Sequence, residues 1–249
     1  MNLGYRVYGL AALGLGVIGL IWGDFALVWQ PVPAGVPHRL LLAYLVAATE
    51  VLSGLAMLWR RTALSGAATL PVLYAIGVVL LHVPQFVAHP TSFAPWGGIA
   101  EQTALVAGGL AAFAMLAQLE GAALYRVSWI LFGLCCVIFG AVHFKYEAAT
   151  AAYVPKYMPM GQLFWARATG LFHIAGGIGI LTGIRARLAA QMLTAMFLVF
   201  AALVHAPLVL ADPHSHMAWT MNAMNLALVG AAWCVADSLR GRSVWGSAA

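Results

Sequence analysis

Charged residues are scarce in this chain. Only 8% of its 249 residues are Asp, Glu, Lys or Arg, whereas 63% are hydrophobic and the mean hydropathy is +0.92. A soluble protein of this size cannot bury so large an apolar fraction, which excludes an ordinary soluble enzyme. We therefore predict an all-α, polytopic membrane protein, because helices satisfy every backbone polar group inside a bilayer.

Cysteines and dense basic runs are also lacking. The three cysteines, Cys135, Cys136 and Cys234, lie inside apolar runs and form no Cys-x-x-Cys motif, which disfavours dithiol redox chemistry. The net charge is +5, yet no cluster of Lys and Arg is dense enough to indicate a nucleic-acid partner. The expected partners are the lipid bilayer and other membrane or extracytoplasmic subunits.

Apolar runs of bilayer-spanning length make up most of the chain. A membrane-crossing helix needs about 20 mostly apolar residues. Eight such runs are present, at residues 4–22, 39–59, 62–83, 98–118, 124–144, 163–183, 187–209 and 217–237. We predict eight transmembrane helices joined by short connectors.

The second half of the chain repeats the first with an offset of 123 residues. The matched pairs are Glu50 with His173, His82 with His205, Pro84 with Pro207, Trp96 with Trp219 and Gln102 with Asn225. Such residue types exchange poorly within apolar runs, so their agreement in one register indicates an internal repeat. Because each half holds four spans, an even number, both halves enter the membrane from the same side. The prediction is two pseudo-symmetric four-helix bundles, formed by residues 1–120 and 121–249.

Basic residues are distributed unevenly between the two predicted faces. One face carries Arg6, Arg60, Arg61, Arg126, Arg185, Arg187, Arg240 and Arg242. The opposite face carries Arg39, Lys145, Lys156 and Arg167. Because loops rich in Lys and Arg stay inside, we predict that both termini are cytoplasmic, in a bacterial cytoplasmic membrane.

Polar side chains inside the spans gather in the extracytoplasmic half of the membrane. Ionisable groups are costly there and indicate functional sites. The candidates for ligand binding or proton exchange are Glu50, His82, His143, Arg167, His173, His205 and Asn225. A structural role stays open for some of them. His82 and His205 each precede a proline by two residues, where a side chain can bond a carbonyl freed by the proline, and Asn225 suits an interhelical hydrogen bond.

Two groups of residues have the chemistry of metal ligands. Three imidazoles lie on successive spans of the second half, and imidazole binds zinc, copper and iron, including haem iron. The last outer loop combines imidazole with thioether, which suits copper, although ordinary packing is an alternative for its methionine. The metal-ligand candidates are His143, His173, His205, His214, His216 and Met217.

Three segments of the second half resemble motifs of the DoxX-like family. Residues 139–144 resemble its Gly-x-x-His/Lys-Phe helix ending, and Val154-Pro155 resembles its Val-Pro loop. Residues 168–177 resemble its Ser/Thr-Gly-x-x-Glu-x-x-x-Gly helix, with His173 in place of the acidic residue that the first half keeps as Glu50. The chain thus resembles two tandem copies of a unit that typical members have once.

The resemblance implies a four-helix membrane unit with a connection to redox physiology. One branch of that family is a subunit of a thiosulfate:quinone oxidoreductase. Others accompany oxidative-stress or methylamine-dehydrogenase systems, and eukaryotic relatives act as assembly or cargo helpers. Because one fold serves many functions, the family does not fix an activity.

Three functional hypotheses stay open, and none requires that the chain itself be an enzyme. The first is a redox-linked, quinone-associated membrane subunit with a polar ligand or cofactor site in the extracytoplasmic half. The second is a non-catalytic assembly or interaction protein. The third is the handling of copper or another metal at the outer face through His and Met residues. Quinone, haem and copper are the candidate ligands, and the concentration of ionisable groups at one depth favours the first hypothesis.

Overall fold

The computed structural model describes residues 3–119 and 122–245. Within these ranges the chain forms nine helices and no strand. They are α1 (Gly4–Trp22), α2 (Arg39–Leu58), α3 (Ala63–Ala88), α4 (Phe93–Leu116), α5 (Ala122–Lys145), α6 (Glu147–Tyr153), α7 (Gln162–Thr182), α8 (Ala186–Ala211) and α9 (His216–Ser238). The predicted all-helical class is confirmed. The predicted boundary between the halves, at residues 120 and 121, lies outside the described residues.

Six of the nine described helices are long and apolar enough to cross a membrane, namely α1 to α5 and α8. The chain is therefore an integral membrane protein. Helices α7 and α9 have comparable lengths, 21 and 23 residues. They also carry polar residues, among them Arg167 and His173 on α7 and Asn225 on α9, which lower their hydropathy.

Helices of the two halves pack into one continuous core. Helix α1 packs against α2 and α9, α4 packs against α3, α5 and α9, and α7 lies between α5 and α8. Two contacts between the halves depend on glycine. A Cβ at Gly108 would lie 2.4 Å from the Cα of Ala231, and one at Gly230 would lie 2.5 Å from the Cα of Tyr8. Helix α9 thus packs closely against α4, the last helix of the first half, and against α1, its first helix.

Helices α3 and α8 each contain one π-helical turn in the same register. The turns are Val78–His82 and Ala201–His205, and each ends two residues before a proline, Pro84 or Pro207. Proline lacks an N–H and crowds the carbonyl four residues earlier, and a wide turn accommodates both effects. The helices consequently continue to Ala88 and Ala211, beyond the predicted ends at 83 and 209.

Three helices begin with the same tryptophan contact. In each, the indole Nε1 donates to the carbonyl of a proline six residues earlier. The pairs are Trp96 with Pro90 at 2.5 Å, Trp165 with Pro159 at 2.7 Å and Trp219 with Pro213 at 2.9 Å. We call this end of the bundle the distal face. Tryptophan with a bonded N–H suits the boundary between lipid and water.

The opposite end of the bundle, which we call the terminal face, holds the start of α1 and the end of α9. There the Gly4 N–H donates to Asp237 Oδ2 at 3.2 Å. The segment after α9 folds back onto the helices, because Trp245 Nε1 donates to the Leu181 carbonyl at 2.8 Å.

Candidate functional site

In the first half, the loop after α1 inserts into the bundle near the distal face. Its 3-10 turn, Leu27–Trp29, buries Trp29 at 7% exposure. The Trp29 carbonyl accepts hydrogen bonds from His82 Nε2 at 2.9 Å and Gln102 Nε2 at 2.8 Å, while its indole N–H donates to Glu101. The carbonyl that His82 reaches therefore belongs to this loop, not to the helix interrupted by its proline.

Glu50 is held by the next residue of the same loop. Its carboxyl group is 2% exposed, and Oε1 accepts from Gln30 Nε2 at 3.0 Å. Gln30 Oε1 in turn accepts from the Ala26 N–H at 3.0 Å. The buried Tyr74 hydroxyl lies close to Glu50 but has no hydrogen bond of normal geometry within the described chain. Apart from that hydroxyl, the polar groups around the inserted loop bind one another.

The corresponding segment of the second half stays outside the bundle. It forms α6, which has no buried residue. Arg167 on α7 holds it through two hydrogen bonds to the Glu147 carboxylate, at 2.8 and 3.0 Å. These bonds lower the pKa of Glu147. Arg167, a ligand candidate in the sequence, thus forms an exposed ion pair.

His143 and His173 lie side by side in the second half, with ring centroids 5.0 Å apart and planes tilted by 40°. His143 Nδ1 bonds the Phe139 carbonyl at 2.8 Å, and His173 Nδ1 bonds the Thr169 carbonyl at 2.9 Å. A carbonyl only accepts, so both Nδ1 atoms carry hydrogen and both Nε2 atoms present lone pairs when the rings are neutral. Neither Nε2 has a hydrogen-bond partner within residues 3–119 and 122–245.

Aromatic rings surround this imidazole pair. The His173 ring centroid lies 5.5 Å from those of Phe139 and Phe197 and 6.2 Å from that of Phe200. His173 is 2% exposed, whereas His143 is half-buried. The Nε2 atom of His173 therefore belongs to a ring in apolar surroundings, where a hydrogen bond to a ligand is stronger than in water.

Two glycines allow the helices that carry these imidazoles to approach closely. A Cβ at Gly170 would lie 2.8 Å from the Cβ of His143, and one at Gly140 would lie 2.5 Å from the Gly170 carbonyl oxygen. Real Cβ atoms do not approach so closely, so larger residues would push α5 and α7 apart. The glycines thus set the spacing of His143 and His173.

His205 and Asn225 complete the second-half candidates. His205 Nδ1 is buried and lacks a hydrogen-bond partner in the part of the chain that the structure describes. Asn225 Nδ2 donates to the Phe197 carbonyl at 2.9 Å, as an interhelical bond. No group of three or more His, Cys, Asp or Glu side chains among the described residues could hold a metal ion. The structure pairs two of the three imidazoles, and the three-histidine metal site stays a prediction.

The loop candidates lie at the start of α9. His214 is exposed, and Met217 is 40% exposed. The His216 ring stacks on Trp22, with centroids 5.0 Å apart and planes 9° from parallel. His216 therefore contributes to the contact between α1 and α9, and a copper site with His214 and Met217 stays a prediction.

Sequence reasoning missed the inserted loop and the aromatic surroundings. The signal was present in the 123-residue register, which pairs Gln30 with Tyr153 and Tyr74 with Phe197. Phe197, beside His173, thus lacks the hydroxyl group that Tyr74 places near Glu50, and Tyr153 stays outside the bundle on α6. These two replacements distinguish the surroundings of His173 from those of Glu50.

Comparisons with protein-family models, curated proteins and solved structures found no match to this chain. The resemblance to the DoxX-like family therefore rests on the short motifs of the sequence.

Proposed function

We propose that this protein is the membrane subunit of a redox-linked system and binds a lipid-soluble, quinone-type ligand at His143 and His173. One observation carries the proposal. Both imidazoles are fixed through Nδ1 to their own helices, so both Nε2 atoms are left without a partner in the described chain, and phenylalanine rings lie beside His173. An anchored Nδ1 also orients an imidazole for binding through Nε2.

A quinol fits this chemistry. Its hydroxyl groups donate to the Nε2 lone pairs of the neutral imidazoles. The surrounding phenylalanine rings provide apolar surfaces for the quinone ring. In quinol oxidation, which releases two protons and two electrons, each imidazole would accept one hydroxyl proton, and the two electrons would pass to the redox centre of a partner subunit. The chain thus supplies binding and proton exchange.

The contrast between the two halves supports a site in the second. Around Glu50 the inserted loop occupies hydrogen-bonding groups that a ligand would need. Around His173 the corresponding segment stays outside as α6. His205, with its unpartnered Nδ1 in the described chain, is a further candidate for the second-half pocket.

Ligand analysis of the purified protein tests this function. Lipid extracted from protein in nanodiscs should contain about one quinone per chain, and a short-chain quinone should bind with saturation. An optical spectrum and elemental analysis distinguish the alternatives. A Soret band would indicate haem, and stoichiometric copper would indicate metal handling. The absence of all three ligands would favour the assembly role.

We further propose a DoxX-like topology of eight crossings in two pseudo-symmetric four-helix bundles, with both termini cytoplasmic in a bacterial membrane. The helix bounds support it, because α2, α3 and α4 recur as α7, α8 and α9 within one residue of the 123-residue offset. Helices α7 and α9 are about 31 and 35 Å long at 1.5 Å per residue, enough for a core of about 30 Å. A cysteine placed after Arg242 should resist an impermeant thiol reagent in intact cells, and free labelling would contradict this orientation.

A further inference from the structure

A cavity of about 460 Å³ lies on the terminal face, beside the turn between α7 and α8. Its polar lining comes mainly from the start of α8 and the segment after α9. The residues concerned are Arg185, Arg187, Gln191, Arg242 and Ser243. Three arginines among the lining residues of one cavity indicate an anionic ligand.

The segment after α9 is fixed as a wall of this cavity. The Val244 carbonyl accepts from Arg126 Nε at 3.2 Å, and Val244 itself is buried. Arg242 Nη1 donates to the Ser238 carbonyl at 3.1 Å, and its guanidinium carbon lies 4.3 Å from the centroid of the Tyr125 ring. Arg242 is thereby oriented while its charge has no acidic partner within the described residues.

The remaining arginines, Arg185 and Arg187, also form no ion pair within the described residues. The Nε of Arg187 is buried and has no hydrogen-bond partner in the described chain. Asp237 is the acid near Arg187, but it accepts the Gly4 N–H, and the ion pairs of the described residues lie elsewhere. Arg185 precedes the first residue of α8 and provides no side-chain cap. The open N–H groups and the dipole of that helix end add to the positive potential.

We propose that this cavity binds the phosphate of an anionic phospholipid headgroup. Arginine binds phosphate oxygens through paired N–H donors, and basic pockets at the cytoplasmic side of membrane proteins select anionic lipids. Apolar side chains lie next to the arginines, since Ile184 is 72% exposed and Leu188 is 45% exposed. A headgroup in the cavity thus leaves its acyl chains against an apolar surface. The site does not depend on the proposed quinone binding at His143 and His173, but its location on the cytoplasmic side rests on the proposed topology.

Native mass spectrometry of protein released from nanodiscs tests the proposal. The wild type should retain one phosphatidylglycerol molecule and no phosphatidylcholine. The double variant Arg185→Gln/Arg187→Gln should retain at least about tenfold less, because both charge-assisted hydrogen bonds to phosphate are lost. The matched control is Arg60→Gln/Arg61→Gln, which removes the same charge from exposed arginines at the equivalent turn between α2 and α3. The control should change retention by less than about twofold, since it affects general surface attraction alone.

Equal losses in the two double variants, or equal retention of both lipids, would overturn the proposal. A second arm adds inorganic phosphate, which should not displace the retained lipid. Binding of inorganic phosphate without lipid retention would overturn the assignment to a headgroup. If the double variant does not fold, Arg187→Lys keeps the charge without the planar donor pair and should by itself weaken retention. Unchanged retention in that variant would contradict the proposal.

Discussion

His82 and His205 occupy equivalent positions at the ends of the two π-helical turns. His82 Nε2 bonds the Trp29 carbonyl, whereas His205 Nδ1 is buried without a partner in the described chain. The difference arises because the loop that supplies the carbonyl enters the bundle in the first half alone. Histidine therefore forms a stabilising hydrogen bond in the first half, whereas in the second half its Nδ1 has no partner within the described chain.

Matched leucine variants test this difference at the residue scale. His82→Leu should reduce the free energy of unfolding by about 1–2 kcal/mol, the range for membrane hydrogen bonds. His205→Leu should change it by about zero, because no hydrogen bond is lost and an unsatisfied polar atom is removed. Denaturation of both variants in the same detergent provides the comparison. A larger loss for His205→Leu would contradict the hydrogen-bond assignment.

The Glu147–Arg167 ion pair predicts a pH dependence outside the membrane. Because Arg167 lowers the pKa of Glu147 in the folded state, the stabilisation is full above the unfolded value of about 4.3. It is lost as the pH falls through the lower folded value. The Tm advantage of wild type over Glu147→Gln should be small, constant above about pH 5 and absent in strong acid. An advantage that grows on acidification would contradict the pairing.

At the scale of elements, the close contact between α5 and α7 sets the distance between His143 and His173. Gly170→Ala would place a Cβ 2.8 Å from the His143 Cβ and should cost about 1–3 kcal/mol through overpacking. Gly97→Ala is the matched control, because no atom lies within 4 Å of the added Cβ. The control should be neutral or slightly stabilising. Thermal unfolding of both proteins checks this prediction, and equal Tm values would show that the helices adjust freely.

The sequence predicts where the helices lie, but it does not predict the π-helical turns within them. The apolar run 4–22 matches α1, and the predicted run 39–59 ends one residue after α2. Hydropathy predicts these helix ends because polar connectors follow each apolar span. The π-helical turns were not predicted, since a proline in an apolar run is equally compatible with a helix end. The insertion of Trp29 was missed because its burial depends on His82 and Gln102, which are distant in sequence.

At the scale of the whole molecule, two similar halves share a core but carry different polar chemistry. The 123-residue register predicted that Glu50 and His173 are equivalent, and both are buried at 2% exposure. It could not show which partners surround each one, because these come from the loops and from neighbouring helices. The inserted loop places a polar group against Glu50, whereas phenylalanine rings lie beside His173. This asymmetry supports the proposed binding site in the second half.

The most direct test compares quinone binding by His173→Gln and Glu50→Gln in nanodiscs. A glutamine amide can still donate to the Thr169 carbonyl or accept from Gln30, so both proteins should fold with nearly the wild-type Tm. His173→Gln should raise the Kd for a short-chain quinone at least about tenfold, because an oriented hydrogen bond to the ligand is lost. Glu50→Gln should change the Kd less than about threefold, since that pocket is occupied by its own loop. Equal changes at the two positions, or unaltered binding by His173→Gln, would contradict the second-half site.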